Sequence, residues 1–170
     1  MRPTPTTRPR PRRLIARREA RSPTSETNPT QHMSTYIDAR PEDGKAFYLQ
    51  YKDAGPITML NMLRFKTQAD YTDLADLQPD QPISGISAYQ TYLDKTLPYL
   101  HHVGSEIVYF GSATRYLIGP SDEHWDAILL VKHQSVAKFM ELANDPGYLK
   151  FAGHRTAALD DSRLLPSVPR

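Results

Sequence analysis

The stretch Ile57-Thr58-Met59-Leu60-Asn61-Met62-Leu63-Arg64-Phe65 constrains this chain more than any other. Its β-branched and long apolar residues read as a strand. One face carries Ile57, Met59, Asn61, Leu63 and Phe65, the other Thr58, Leu60, Met62 and Arg64. Both faces are largely apolar, so both need cover. A sheet with helices on one side satisfies only half of that demand.

The neighbouring segments supply the rest of a sheet-and-helix domain. Pro41-Glu42-Asp43 opens a helix, with proline in the first turn and acids at its positive end. Gly55-Pro56 stops it. Ile86, Tyr89, Leu93, Leu97 and Leu100 form one apolar stripe at helical spacing. Pro98 predicts a kink or early end, and Gly104 a stop. Strand character runs from Glu106 to Ile118, with a bulge expected at Gly111, and from Trp125 to His133. Val136 to Ala143 and Tyr148 to Ala158 read as short helices separated by Asn144-Asp145-Pro146-Gly147. Ser162 to Leu165 closes the series as a strand. Lys66 to Ser84 is a long polar loop with a short turn around Asp73 to Leu77, and loops of that length are often functional.

After the leading helix the order is β-α-β-β-α-β, the split βαβ or ferredoxin-like arrangement. The predicted fold class is therefore α+β, with a four-stranded antiparallel sheet. Its uncovered face, read as Thr58, Leu60 and Met62 with Ala127, Leu129 and Val131, is too apolar for water. Burial against a twofold mate is the common solution, so a homodimer is expected.

Composition divides the chain in two. Residues 1–32 hold eight arginines and six prolines against Glu19 and Glu26, a charge of +6. The overall +2 leaves −4 for residues 33–170, so the basic excess lies outside the domain and nucleic acid is disfavoured as a partner. The first segment reads as a disordered Arg/Pro-rich tail, and the domain as residues 33–170. Leu14-Ile15-Ala16 is too short for a secretory apolar run, and the prolines break a transit helix. The plain reading is an extension upstream of a working start at Met33. There is no cysteine, which excludes disulfides, thiolate catalysis and cysteine-held metals and fits a reducing cytoplasm. No run of about 18–20 apolar residues suggests a membrane span.

No phosphate loop, dinucleotide fingerprint, H-E-x-x-H or EF-hand pattern occurs. Ser84-Gly85-Ile86-Ser87-Ala88 lacks the second glycine and the preceding strand of a nucleophile elbow. His101 and His102 are adjacent on a helix, about 100° apart, and read as a solvated helix end, not a metal pair. No metal and no cofactor are expected.

Two residues carry sharper signals. Asn61 interrupts an apolar strand face and needs partners; it is either a structural amide or a polar anchor in an apolar pocket. Arg155 shares a helical stripe with Tyr148, Phe151, Ala152 and Ala158, so it should point inward and be paired. Its structural partner would be Asp126, Asp160 or Asp161. Its functional role would be a clamp for a carboxylate or enolate. Trp125, Tyr109 and Tyr148 could wall a cleft, with His133, His154 or Asp126 as proton acceptors.

Gly55-Pro56 with Met59-Leu60-Asn61-Met62-Leu63-Arg64-Phe65 resembles the opening of the bacterial domain of unknown function 1330 family (DUF1330). The resemblance continues through Ser84-Gly85, Tyr89, Tyr92, Tyr109-Phe110-Gly111, Leu117-Ile118-Gly119, Trp125-Asp126, Asp145-Pro146, Tyr148, Arg155-Thr156-Ala157-Ala158 and Asp161-Ser162-Arg163-Leu164. It covers nearly all of residues 36–165. Lys132-His133-Gln134-Ser135 departs from the usual Tyr/Phe-Pro-Ser turn. The resemblance implies the dimeric α/β-barrel superfamily, in which two ferredoxin-like sheets pack into one barrel. Relatives there include cofactor-free monooxygenases, muconolactone isomerases and haem-binding proteins. The expected function is cofactor-free chemistry, of oxygenase or isomerase type, on an aromatic or enolisable carbonyl compound. Asn61 and Arg155 would hold its oxygens. The alternative is a non-catalytic homodimer that binds a small apolar or aromatic ligand or serves only as structure.

Overall fold

The computed structural model describes residues 35–170; the expectations for residues 1–32 lie outside it. A leading helix, α1 (Pro41–Tyr51), is followed by β1 (Ile57–Phe65), α2 (Gly85–His102), β2 (Glu106–Ser112) and β3 (Ala127–His133). Three short helices, α3 (Val136–Ala143), α4 (Pro146–Leu149) and α5 (Gly153–Ala158), precede β4 (Leu159–Ser167). The strands lie in the order β2-β3-β1-β4 with antiparallel neighbours throughout. Two interleaved βαβ units with β1 and β3 at the centre make this a ferredoxin-like α+β fold.

Register decides which side chains share a face. Asn61 pairs with Leu129 and Ile57 with His133. Ile57, Met59, Asn61 and Leu63 therefore point with Ala127, Leu129, Val131 and His133 towards the helices, and all eight are buried. This corrects the expected make-up of the other face, because Ala127, Leu129 and Val131 belong to the covered one. The open face instead carries Leu60, Met62, Ile128 and Leu130, flanked by Tyr109 and Leu165 from the edge strands. Strand alternation alone gives each strand's two faces but not which of them match across the ladder.

α2 begins at Ser84, whose hydroxyl accepts the Ser87 N–H at 3.2 Å. Its buried stripe runs through Ala88, Tyr89, Leu93, Thr96 and Leu100, while Ile86 is 57% exposed. Pro98 does not end the helix early, since α2 continues to His102. Pro98 and Asp94 both lie on the exposed side, where water can take the carbonyl that loses its donor. Gly104, with φ +72°, ends the helix as expected.

β2 is shorter than its apolar run. It ends at Ser112, and residues 113–126 form an arm held by the bridge between Arg115 and His124. At the tip of the arm Leu117 and Ile118 are 100% and 92% exposed. The ladder irregularity lies between Ile107 and Tyr109, not at Gly111, which pairs regularly with Ile128. A Cβ at Gly111 would strike the Tyr109 ring, so this glycine makes room for an aromatic side chain. β3 begins at Ala127, not Trp125, although Trp125 is buried and its N–H donates to the Thr114 carbonyl at 2.9 Å. β4 is longer than expected, and Pro166 is accommodated because it is an edge strand. Among the described residues no helix is long and apolar enough to cross a membrane.

Candidate functional site

A cavity of about 740 Å³ lies on the helix-covered side of the sheet, within the usual range for small-molecule sites. Its floor is Met59, Asn61, Leu129, Val131 and His133. Its walls come from α1, α2, α3, α4, α5, the edge strand β4 and the segment 36–39.

Arg155 reaches it from α5. Its Nη1 donates to the Ile37 carbonyl at 2.8 Å and its Nη2 to the Ser162 hydroxyl at 3.3 Å. The carboxylates expected as structural partners are engaged elsewhere. Asp126 accepts the Phe65 N–H at 2.7 Å, Asp160 takes Arg64 at 2.8 Å, and Asp161 takes Arg163 at 2.6 Å and the Tyr36 N–H at 2.7 Å. Among the described residues Asp38 is the carboxylate within reach of Arg155, at 3.8 Å, and its side chain is 76% exposed. That contact is screened by solvent. The guanidinium thus enters an apolar cavity held by neutral acceptors, with its charge uncompensated from inside.

Tyrosines gather at the same wall. Asp145 caps α4 by accepting the Gly147 and Tyr148 N–H groups, and this sets Tyr148 against α2. Its hydroxyl lies 3.0 Å from that of Tyr92. Tyr89, one turn earlier on α2, stacks at 5.3 Å on Tyr92. Burial pushes the Tyr89 and Tyr148 phenols up, against a smaller opposing pull from the Arg155 charge. They remain protonated donors at neutral pH.

Asn61 has a defined orientation. Its Nδ2 lies 3.3 Å from both the Met59 and Leu129 carbonyls, and only the amide nitrogen can donate to two carbonyl oxygens. What remains for the cavity is Oδ1, an acceptor. His133 is four residues along the ladder from Asn61, opposite Ile57, a separation of about 13 Å. Its Nδ1 bonds the Ser105 hydroxyl at 2.8 Å, its ring meets Phe139 edge-on at 5.2 Å, and burial pushes its pKa down to about 4. Thr96 lines the cavity too, and its hydroxyl is buried without a hydrogen-bond partner among the described residues.

Asn61, His133, Tyr148 and Arg155 are therefore brought to one cavity, while Tyr109, Trp125, Asp126 and His154 lie outside its lining. Tyr109 is on the open face of the sheet, 52% exposed. Trp125 is fixed in the arm by its indole Nε1–H, which donates to the Tyr116 hydroxyl at 2.8 Å, and by Arg163 placed 5.1 Å from its ring. Asp126 caps the end of β1. His154 bonds the Tyr71 hydroxyl through Nδ1 at 2.7 Å and anchors the 66–84 loop to α5. Tyr89, Tyr92 and Thr96 escaped sequence reasoning as site residues. Their signal was a set of hydroxyls on or beside an apolar helical stripe, which reads equally well as core.

The topology and the helix-side cavity define a ferredoxin-like α+β protein with an internal site of small-molecule size. No family model matches the chain, and no curated protein does. A crystal structure of methylated RPA0582 protein is 36% identical, with a TM-score of 0.72 over 81% of this chain and 97% of its own. A second, of the RPA0582 protein of unknown function from Rhodopseudomonas palustris, is 35% identical with a TM-score of 0.71, covering 81% and 98%. This chain belongs to the family of the RPA0582 protein. SnoaB, a cofactor-independent oxygenase from Streptomyces nogalater, is 12% identical with a TM-score of 0.40, covering 69% of this chain and 95% of that one.

Proposed function

We propose that the protein binds a small aromatic or enolisable carbonyl compound in the helix-side cavity and stabilises negative charge on its oxygen. The observation that carries this reading is Arg155, a guanidinium in an apolar cavity with no buried carboxylate within ion-pair distance among the described residues. A fixed positive fork set in a largely apolar cavity favours an oxyanion or enolate more than it would in bulk water. Tyr148, its phenol held protonated by burial, and the Tyr92 hydroxyl paired with it add donors at the same wall. Cofactor-free isomerase or oxygenase chemistry requires such charge stabilisation at the substrate oxygen, and these residues could supply it.

The second reading is retention without turnover. It is favoured by His133, whose pKa of about 4 makes it a poor proton acceptor at neutral pH. The same cavity would then serve as a binding site only.

We also assign the chain to the domain of unknown function 1330 family, on its likeness in the runs Met59 to Phe65, Arg155 to Ala158 and Asp161 to Leu164. The homodimer, with two open faces closing a barrel, rests on the apolar side chains of Leu60, Met62, Ile128 and Leu130. Native mass spectrometry of the full chain, purified without added ligand, tests the reading. A dimer with a reproducible small extra mass that Arg155→Met loses is the expected result. The same mass retained on a folded Arg155→Met variant sinks the role of Arg155. Product formation from the released compound separates enzyme from binder.

A further inference from the structure

The polar groups of the cavity are sorted by sense. At the Arg155 wall the surplus is of donors, since the nearby Asp38 carboxylate, 3.8 Å from Arg155, is 76% exposed and screened by solvent. The guanidinium has five N–H bonds to give, of which the two named contacts go to Ile37 and Ser162. The Tyr92–Tyr148 pair shares one hydrogen bond across 3.0 Å, and two phenols so joined still carry a second proton for a third group. On the floor the sense reverses. Asn61 spends its amide protons on the Met59 and Leu129 carbonyls and offers Oδ1.

The two ends are close. Ser162, which holds Arg155, pairs with Leu63, while Asn61 pairs with Leu164. Asn61 and Ser162 are thus diagonal neighbours, about 7–8 Å apart along the ladder. Between and beyond them the floor is apolar, through Met59, Leu129 and Val131. A ligand satisfying both ends needs an anionic acceptor at one point and a donor a few bonds away.

Resting on the reading of this cavity as the site, we propose that its ligand is a hydroxylated organic acid of aromatic size. Its carboxylate lies against Arg155 and the tyrosine pair, and its hydroxyl donates to Asn61 Oδ1. A simple ketone or hydrocarbon would leave the Asn61 carbonyl and the Arg155 charge unanswered, a cost that discriminates between ligands.

Isothermal titration calorimetry of the full chain with three matched probes tests this: 4-hydroxyphenylacetate, phenylacetate and 4-hydroxyphenylacetamide. The hydroxy acid is expected to bind best. Loss of the hydroxyl should weaken binding about tenfold, and loss of the charge about tenfold or more, as single hydrogen bonds to neutral and charged groups do. Arg155→Met should then bring acid and amide to similar affinity. The native chain decides the matter even if the variant does not fold. Equal binding of acid and amide, or of phenylacetate and its hydroxylated form, overturns the ligand class and leaves the cavity reading standing. Binding of none of the three overturns both.

Discussion

Thr91 and Thr96 share one helix, yet their hydroxyls meet different ends. Thr91 bonds the Ser87 carbonyl one turn back at 3.1 Å, the usual refuge of a helical threonine. The Thr96 hydroxyl is buried against the cavity without a partner among the described residues. Thr96→Val keeps the shape and removes the unpaired oxygen, so it should raise stability by about 1 kcal/mol, read as a shift of the urea midpoint. No gain would mean that the hydroxyl is satisfied in solution. His133 and His154 make a second residue-scale case. Burial lowers both, His133 from 6.5 to about 4. Within that window the unfolded chain holds protons that the folded chain does not, so stability rises with pH from about 4 to 6.5 and falls as pH drops through it. His133→Gln should flatten the slope of urea midpoint against pH across the window. An unchanged slope would assign the whole effect to other groups, His154 first among them.

At the scale of elements, the start of α2 is the tightest junction. Gly85 donates its N–H to the Lys66 carbonyl at 3.0 Å, and Lys66 in turn donates to the Ala158 carbonyl at 2.9 Å. A Cβ on Gly85 would fall on those same two backbone oxygens, which cannot move as a side-chain tip can. Gly85→Ala should cost about 3 kcal/mol or prevent folding. Gly44 in α1 has nothing within 4 Å of its would-be Cβ, so Gly44→Ala should stabilise by about 0.5–1 kcal/mol. Chemical denaturation of the two variants side by side checks both signs. The α2 stripe was legible in the sequence because burial follows the helical period. The fate of Pro98 was not, because whether a missing donor matters depends on which side of the helix meets water.

At the scale of the whole molecule the open face of the sheet is the unanswered surface. Leu60, Met62, Ile128 and Leu130 stand there in two neighbouring strands, beside exposed Tyr109 and Leu165. If a second copy covers it, Leu130→Arg should leave the fold intact by circular dichroism and shift the chain to monomer in sedimentation velocity. A lysine or arginine there costs far more in a dry interface than on a wet face. A native dimer unaffected by Leu130→Arg would place the interface elsewhere.

The ferredoxin-like order of strands and helices and the inward course of Arg155 were legible in the chain, because period and punctuation are local properties; the break of the helix expected over 148–158 into α4 and α5 was not. The sequence also marked Asn61 as an amide needing partners. Ladder register came from long-range pairing, and register moved Ala127, Leu129 and Val131 to the helix side and placed Ile128 and Leu130 on the other. The tertiary structure likewise decided that Asp126, Asp160 and Asp161 serve other partners, that Trp125 and His154 fasten an arm and a loop, and that Asn61 faces the cavity with an acceptor. Each of these depends on which groups, distant in the chain, compete for the same hydrogen bond or the same face, and no local pattern records the winner of that competition.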